Sequence, residues 1–80
     1  MKAKVHVTLK NGVLDPQGQA IESALAHLGF AGVAGARVGK YIELDIAETN
    51  EAKARTAVEQ MCEKLLANTV VEKYSIEIAA

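Results

Sequence analysis

The chain has 80 residues, half of them apolar, and a formal net charge of −1 at pH 7. This length suits one small domain, and the near-neutral charge gives no electrostatic reason to expect nucleic acid or an anionic membrane as a partner. The sequence shows no apolar run long enough to cross a bilayer and no secretory signal pattern. Cys62 is the single cysteine, which excludes an internal disulfide, and we therefore expect a cytoplasmic protein.

The first part of the chain predicts a strand that an exposed loop connects to a helix. Apolar and polar residues alternate over Lys2–Leu9, as they do in a half-buried strand. Apolar residues then repeat at helical spacing, which predicts a helix over Pro16–Leu28. Asp15 suits the N-cap of this helix, because its carboxylate can accept a hydrogen bond from a free backbone N–H. Gly29 suits the left-handed residue that ends it.

The middle of the chain predicts two further strands joined by a tight turn. A segment of small residues leads into a second strand, which we place at Ala34–Val38. Gly39 and Lys40 follow as a two-residue hairpin turn, in which Gly39 supplies the required positive φ. Apolar and polar residues then alternate from Tyr41 to Ile46, which predicts the third strand.

The last third of the chain predicts a helix followed by a strand. Thr49 or Asn50 can cap this second helix, which we extend to about Ala67. Asn68 suits a left-handed stop at its end. The fourth strand is predicted over Val70–Ile78, where alternation is clearest in the second half.

The predicted element order is strand, helix, strand, strand, helix, strand, which indicates an α+β fold of the ferredoxin-like type. We expect one domain over residues 1–80, in which a four-stranded antiparallel sheet carries both helices on one face. The second helix has an apolar stripe formed by Ala54, Ala57, Val58, Met61 and Leu65. Cys62 and Leu66 widen this surface beyond what one sheet face needs, so that either a covering loop or a second packing partner explains it.

Self-association is also expected from the size of the core. Eighty residues with only three aromatic side chains bury little apolar surface, and small domains of this kind often gain stability by oligomerising. We therefore expect a homodimer or a larger even-numbered assembly.

The sequence shows no arrangement of residues that would support catalysis or metal binding. His6, His27 and Cys62 are far apart and lack metal-ligand spacing. Cys62 lies in the C-terminal half of the second helix, where the helix dipole disfavours a thiolate. Neither the P-loop motif nor the glycine fingerprint of dinucleotide-binding proteins is present. We therefore expect no catalytic, cofactor-binding or metal-binding residue in this chain.

Three stretches of the sequence carry a family resemblance. They are GVLDPQG at Gly12–Gly18, RVGK at Arg37–Lys40 and MCEKLLAN at Met61–Asn68. In this order they resemble the PurS family, the small subunits of phosphoribosylformylglycinamidine synthase, an enzyme of de novo purine biosynthesis. The similarity covers nearly the whole chain, with a departure at Thr69, where family members can carry proline.

The resemblance implies a non-catalytic subunit of a glutamine-dependent ligase. Such a chain is implied to dimerise and to bridge a glutaminase subunit (PurQ) and a large ATP-dependent synthetase subunit (PurL), assisting the transfer of ammonia between them. ATP and Mg²⁺ would then belong to the large subunit, and this chain would bind no cofactor and contribute to catalysis only within the complex.

The same stretches and their flanks supply candidate partner-contact residues. Helix capping alone explains Asp15, and the expected hairpin alone explains Gly39, whereas Gln17, Arg37 and Lys40 have no evident role in the fold. The full set of candidates is Asn11, Asp15, Gln17, Gly18, Arg37, Gly39, Lys40, Lys64 and Asn68.

Two other functions share the predicted topology. A regulatory module that senses a small molecule would need no catalytic residues, and it is the alternative that we retain. An acylphosphatase-like hydrolase would need an arginine in the loop after the first strand. This chain has Lys10, Asn11 and Gly12 there, which disfavours the hydrolase.

Overall fold

Three antiparallel strands form the sheet in the computed structural model, which describes residues 1–79. The strands are β1 at Lys2–Leu9, β2 at Gly39–Asp45 and β3 at Glu72–Ala79. Both β2 and β3 pair with β1, so the order across the sheet is β2-β1-β3. Val5 lies opposite Ile42 on one side and Ile76 on the other, and this register places apolar residues of all three strands on the same face.

Two helices connect these strands, and both begin at the predicted caps. The helices are α1 at Pro16–His27 and α2 at Glu51–Met61, which continues into one π-helical turn at Cys62–Leu66. The side chain of Asp15 caps α1, and the side chain of Asn50 accepts a 3.1 Å hydrogen bond from the Lys53 N–H at the start of α2. Gly29 has a φ of +96° and ends α1, as predicted.

The core lies between α2 and one face of the sheet. Ala54, Val58 and Cys62 are four residues apart along α2 and its π-helical turn, and all three are fully buried. Val58 and Cys62 belong to one cluster with the buried β1 residues Ala3, Val5 and Val7. Because β1 is the central strand, α2 covers the middle of the sheet.

The inward face of α2 differs from the predicted stripe. Cys62 is fully buried, whereas Met61 is 40% exposed and Leu65 is 82% exposed. The reason is that the residues that contact β1 follow the four-residue spacing through Cys62, and Met61 lies about 100° away around the helix. The extra apolar surface of α2 therefore exists, but Met61 and Leu65 form it, and it faces away from the sheet.

The predicted second strand is not found, and the described residues form three strands rather than four. Residues 33–38 adopt no regular secondary structure, and β2 begins at Gly39. The predicted hairpin is also wrong, because Gly39 has no positive φ. Gly39 instead allows close packing on β1, since a Cβ at this position would lie 2.5 Å from the carbonyl oxygen of Val7. Small residues dominate the preceding segment and offer little side-chain packing to a strand.

Helix α1 makes no extensive contact with the sheet or with α2. Gly18 is its only buried residue, and Leu28 just after its end is 73% exposed. The molecule measures 48 × 26 × 14 Å, and its radius of gyration is 16.0 Å. A compact chain of this length would have a radius of gyration of about 12 Å. The expectation that both helices cover one face of the sheet is therefore not confirmed, since only α2 does so.

The contact between α2 and β1 predicts a large effect for a core truncation. We expect Val58→Ala to lower the free energy of unfolding by about 2 kcal/mol, because it removes buried methyl groups and leaves a cavity. Urea denaturation followed by circular dichroism measures this difference. The matched control is Glu59→Ala at the next, exposed position, which should change the free energy by less than about 0.5 kcal/mol. Equal effects of the two substitutions would contradict the assignment of the core.

Candidate subunit-contact site

Most of the partner-contact candidates meet at one end of the sheet. Strand β1 finishes here at Leu9, which lies opposite Glu72, while Thr8 lies opposite Gly39. A groove of about 220 Å³ opens between the strand ends and the start of α1. We call it the strand-end groove, and its lining residues are Leu9, Asp15, Gln17, Val38, Gly39, Lys40 and Glu72.

Asp15 is the buried polar residue of this site, with only 5% of its surface exposed. Its Oδ1 accepts a 2.8 Å hydrogen bond from the Gly18 N–H, which caps α1. Its Oδ2 accepts a second 2.8 Å bond from the Val38 N–H, 23 residues along the chain. The bonds from Val38 and then Gly18 lower the pKa of the Asp15 carboxyl. The carboxylate is therefore charged at neutral pH and joins α1 to the segment before β2.

Arg37 holds the loop between β1 and α1. Its guanidinium donates hydrogen bonds to the carbonyl oxygens of Val13 at 3.1 Å, Lys10 at 3.1 Å and Leu9 at 3.3 Å. Its Nε also lies 3.9 Å from Asp15 Oδ2. The interpretation that Arg37 lacks a role in the fold is therefore wrong. Its bonding partners are 24 to 28 residues away, beyond the range of local sequence patterns.

Gly18 and Gln17 follow Asp15 in the first turn of α1 and differ in their surroundings. A Cβ on Gly18 would collide with the backbone carbonyl of Ala36, so the close approach of these two segments requires glycine at this position. Gln17 is exposed, and within residues 1–79 its side chain forms no hydrogen bond. Gln17 therefore has no side-chain hydrogen-bond partner among these residues and remains a candidate for an external contact.

Lys40 and Asn68 stabilise the connection between α2 and β3. Lys40 Nζ donates a 3.1 Å hydrogen bond to the carbonyl oxygen of Leu66, so Lys40 also has a role in the fold that sequence reasoning missed. Asn68 is not left-handed, because no residue other than glycine has a positive φ among residues 1–79. Instead its Oδ1 accepts a 3.2 Å bond from the Val70 N–H, and its backbone N–H donates a 2.7 Å bond to Glu72 Oε1.

Five of the nine candidates do not line the strand-end groove. Gly18, Arg37 and Asn68 lie beside it, next to Asp15 or Glu72, whereas Asn11 and Lys64 do not contact its lining residues through their side chains. Asn11 is exposed in a turn that the 3.1 Å hydrogen bond from the Val13 N–H to the Lys10 carbonyl closes, with Gly12 at a φ of +85°. Lys64 lines a different groove on the outward side of α2, together with Ala57, Gln60, Met61 and Leu65. Lys64 therefore belongs to a surface apart from the strand-end groove, whereas Asn11 lies in the loop that Arg37 holds.

Glu72 is the member of the site that the sequence did not indicate. It reaches the groove through the pairing of Leu9 with Glu72 and accepts the hydrogen bond from Asn68. The local feature that could have indicated this contact is that Glu72 follows Asn68 by four residues. The proximity of Glu72 to Lys40 depends on the order of the strands, which no local pattern contains.

Across residues 1–79 there is no cluster of His, Cys, Asp and Glu side chains suited to holding a metal ion. Burial, followed by Glu63 and Glu59, raises the pKa of the Cys62 thiol, which disfavours the nucleophilic thiolate. In the same part of the chain no helix has the length and apolar character needed to cross a membrane.

Comparisons with known proteins agree on one family. Residues 2–80 match the family described as PurS: Phosphoribosylformylglycinamidine (FGAM) synthase. The phosphoribosylformylglycinamidine synthase subunits PurS of Synechocystis sp. and Bacillus subtilis are each 49% identical to this chain over 77 residues. These alignments cover 96% of this chain in both cases, and 77% and 90% of the respective relatives.

Solved structures give the same result. The structure of Bacillus subtilis PurS in its C2 crystal form matches with a TM-score of 0.90 and 48% identity, covering 99% of this chain and 98% of that chain. A chain in the structure of PurLQS from Thermotoga maritima matches with a TM-score of 0.87 and 37% identity. That match covers 95% of this chain and 93% of the other. The arrangement of helices and strands is therefore shared with both.

The carbonyl contacts of Arg37 predict a loss of stability on truncation. We expect Arg37→Ala to lower the thermal midpoint by about 4–8 °C, the shift that a loss of about 1 kcal/mol causes in a domain of this size. Thermal unfolding followed by circular dichroism measures the midpoint. Lys64→Ala is the matched control, because it also removes an exposed positive charge, and its midpoint should stay within about 2 °C of the original. An unchanged midpoint for Arg37→Ala would show that these hydrogen bonds contribute nothing.

Proposed function

Because the chain belongs to the PurS family of phosphoribosylformylglycinamidine synthase, we propose that it bridges the glutaminase and synthetase subunits of that enzyme as a non-catalytic subunit. It acts in purine biosynthesis only as part of this glutamine-dependent ligase. The observation that carries the proposal is the likeness of the whole chain to a chain of PurLQS. Family membership also disfavours the alternative of a module that senses a small molecule.

The strand-end groove is the surface that we assign to subunit contact. The hydrogen bonds of Asp15 and Arg37 fix its backbone, so that its exposed groups are presented in one geometry. Gln17 contributes an amide group that has no hydrogen-bond partner among the described residues. Lys40 and Glu72 contribute opposite charges, which would orient a partner surface with the complementary pattern.

Ammonia transfer gives a physical reason for such a subunit. Ammonia released by a glutaminase becomes protonated in bulk water near neutral pH and then loses its nucleophilicity. An assembly that excludes water between the two active sites protects the free base. A bridging subunit contributes to this by surface complementarity and needs no reactive side chain of its own.

The cofactors of the reaction belong to the partners in this proposal. ATP and Mg²⁺ are bound by the large synthetase subunit, while this chain binds neither. The proposed place of action is the cytoplasm, where purine precursors are synthesised.

Self-association forms part of the proposed assembly. Helix α1 exposes Ile21, and the segment after it exposes Leu28 and Phe30. These side chains are exposed because neither α2 nor the sheet covers them. Apolar side chains in this arrangement are typical of an interface. We therefore assign this apolar surface to contact with a second copy of the chain within a homodimer.

Substitution of Gln17 tests the bridging function. We expect Gln17→Ala to leave the thermal midpoint of the free chain unchanged, because the side chain has no internal partner, and to weaken assembly about tenfold if one buried hydrogen bond to a partner is lost. The measurement is the dissociation constant for complex formation with the glutaminase and synthetase subunits.

Gln60→Ala is the matched control, since it removes the same amide from the outward side of α2, remote from the strand-end groove. In the same assay the chain alone should turn over neither ATP nor glutamine. Failure of the unsubstituted chain to join the two larger subunits would refute the bridging function, whereas tight assembly of Gln17→Ala would refute only the docking surface.

Charge introduction on α1 tests self-association. We expect sedimentation equilibrium at micromolar concentration to give a species at least twice the 8.5 kDa of one chain. The double substitution Ile21→Asp and Leu28→Asp should yield the single-chain species, because charged groups cannot be buried without partners. Glu22→Asp serves as the control within the same helix. A single-chain mass for the unsubstituted protein would contradict the assignment.

A further inference from the structure

Among residues 1–79 of a single chain, contacts hold helix α1 at its beginning and nowhere else to a comparable extent. Its one buried residue is Gly18, in the first turn, and the helix makes no extensive contact with the strands or α2. The direction of such a helix is not fixed by packing along its length. Within a single chain, the bonds at its first turn are therefore the contacts that determine where its other end lies.

Those bonds come from both segments that join α1 to the sheet. Arg37 holds the loop before α1 by donating hydrogen bonds to the carbonyl oxygens of Leu9, Lys10 and Val13. Asp15 ties the first turn to the backbone N–H of Val38. Because Val38 directly precedes β2 and Leu9 ends β1, the first turn is connected to two adjacent strands of the sheet.

From this geometry we propose that Asp15 and Arg37 are positioning residues that set the direction of α1 relative to the sheet. Their role goes beyond helix capping and beyond the proposed bridging function, since it operates within a single chain. It explains how an elongated molecule keeps one shape with α1 largely free of the core.

Asp15 accepts two hydrogen bonds, from Gly18 and from Val38, whereas the second helix shows that one such bond is enough for capping. Asn50 caps α2 with a single hydrogen bond, from the Lys53 N–H to Oδ1. The burial of Ala54, Val58 and Cys62 positions helix α2, so its cap does not need a second hydrogen bond to a distant segment. The bond from Val38 to Asp15 Oδ2 is therefore additional to capping, and it occurs at the helix that lacks packing.

The two functions of Asp15 can be separated by one substitution. Asparagine caps helices about as well as aspartate, so Asp15→Asn can retain the hydrogen bond from Gly18. Its amide nitrogen cannot accept the bond from the Val38 N–H, because it is a donor. Arg37→Lys is the second variant. It keeps the positive charge, but an ammonium group does not present the planar guanidinium donors that reach three carbonyl oxygens.

The experiment measures the direction of α1 by double electron–electron resonance. Spin labels are placed on Ser23→Cys in α1 and Glu77→Cys in β3, in a Cys62→Ala background that also carries Ile21→Asp and Leu28→Asp, so that no second copy of the chain holds α1. Labelled chains are diluted with unlabelled chains so that distances within one chain dominate. Carbon chemical shifts of residues 16–27 report in parallel whether α1 remains helical. Asn50→Ala is the matched control, because it removes a cap without a second partner.

We expect Asp15→Asn and Arg37→Lys to retain α1 and to widen the distance distribution about twofold, as local opening at the first turn allows the helix to reorient. Asn50→Ala should leave the distribution unchanged. Widening in only one variant would assign the positioning role to that residue alone. Distributions as narrow as in the unsubstituted chain for both variants would overturn the proposal. Since the glutaminase and synthetase subunits are both absent, this outcome is independent of the bridging function.

Discussion

The buried carboxylate of Asp15 is the interaction on which the arrangement of this protein depends. One oxygen accepts the capping hydrogen bond of α1 and the other holds the backbone before β2, while Arg37 lies 3.9 Å from this second oxygen and holds the intervening loop. A buried carboxylate without partners would cost several kcal/mol, so Asp15 is stable in this position only because both oxygens are bonded. The conformation of the loop and the position of α1 are consequently coupled, and loss of either partner would affect both.

Features encoded within a few neighbouring residues could be predicted from the sequence. The limits of β1 follow from its alternating pattern, and the sequence Asp15-Pro16 correctly placed the start of α1. Gly29 marked its end because the left-handed conformation there favours glycine. In each case the physical cause lies in the local backbone or in the nearest side chain. The family resemblance was confirmed as well, because three motifs in order constrain the whole chain.

Features that depend on contacts between distant segments could not be predicted in this way. Gly39 looked like a turn residue, but the carbonyl oxygen of Val7 on the neighbouring strand is what excludes a side chain there. Arg37 and Lys40 had no evident role in the fold, and their hydrogen-bonding partners became apparent only from the folded structure. The inward face of α2 was misassigned for the same reason, since an apolar stripe wider than its contact area does not show which part meets the sheet. The partner-contact roles of the site residues remain predictions.

Because α1 lies largely outside the core, the stability of the folded chain depends on its concentration. The chain exposes 5540 Å² of accessible surface, whereas a compact protein of this mass exposes about 4,700 Å². The difference is close to the roughly 800 Å² that one partner contributes to a standard-size interface. Association would remove this excess from water, and mass action then makes the stability of the fold rise with the concentration of the chain and its partners. A cell that synthesised this chain in excess over its partners would hold the surplus in its least stable form.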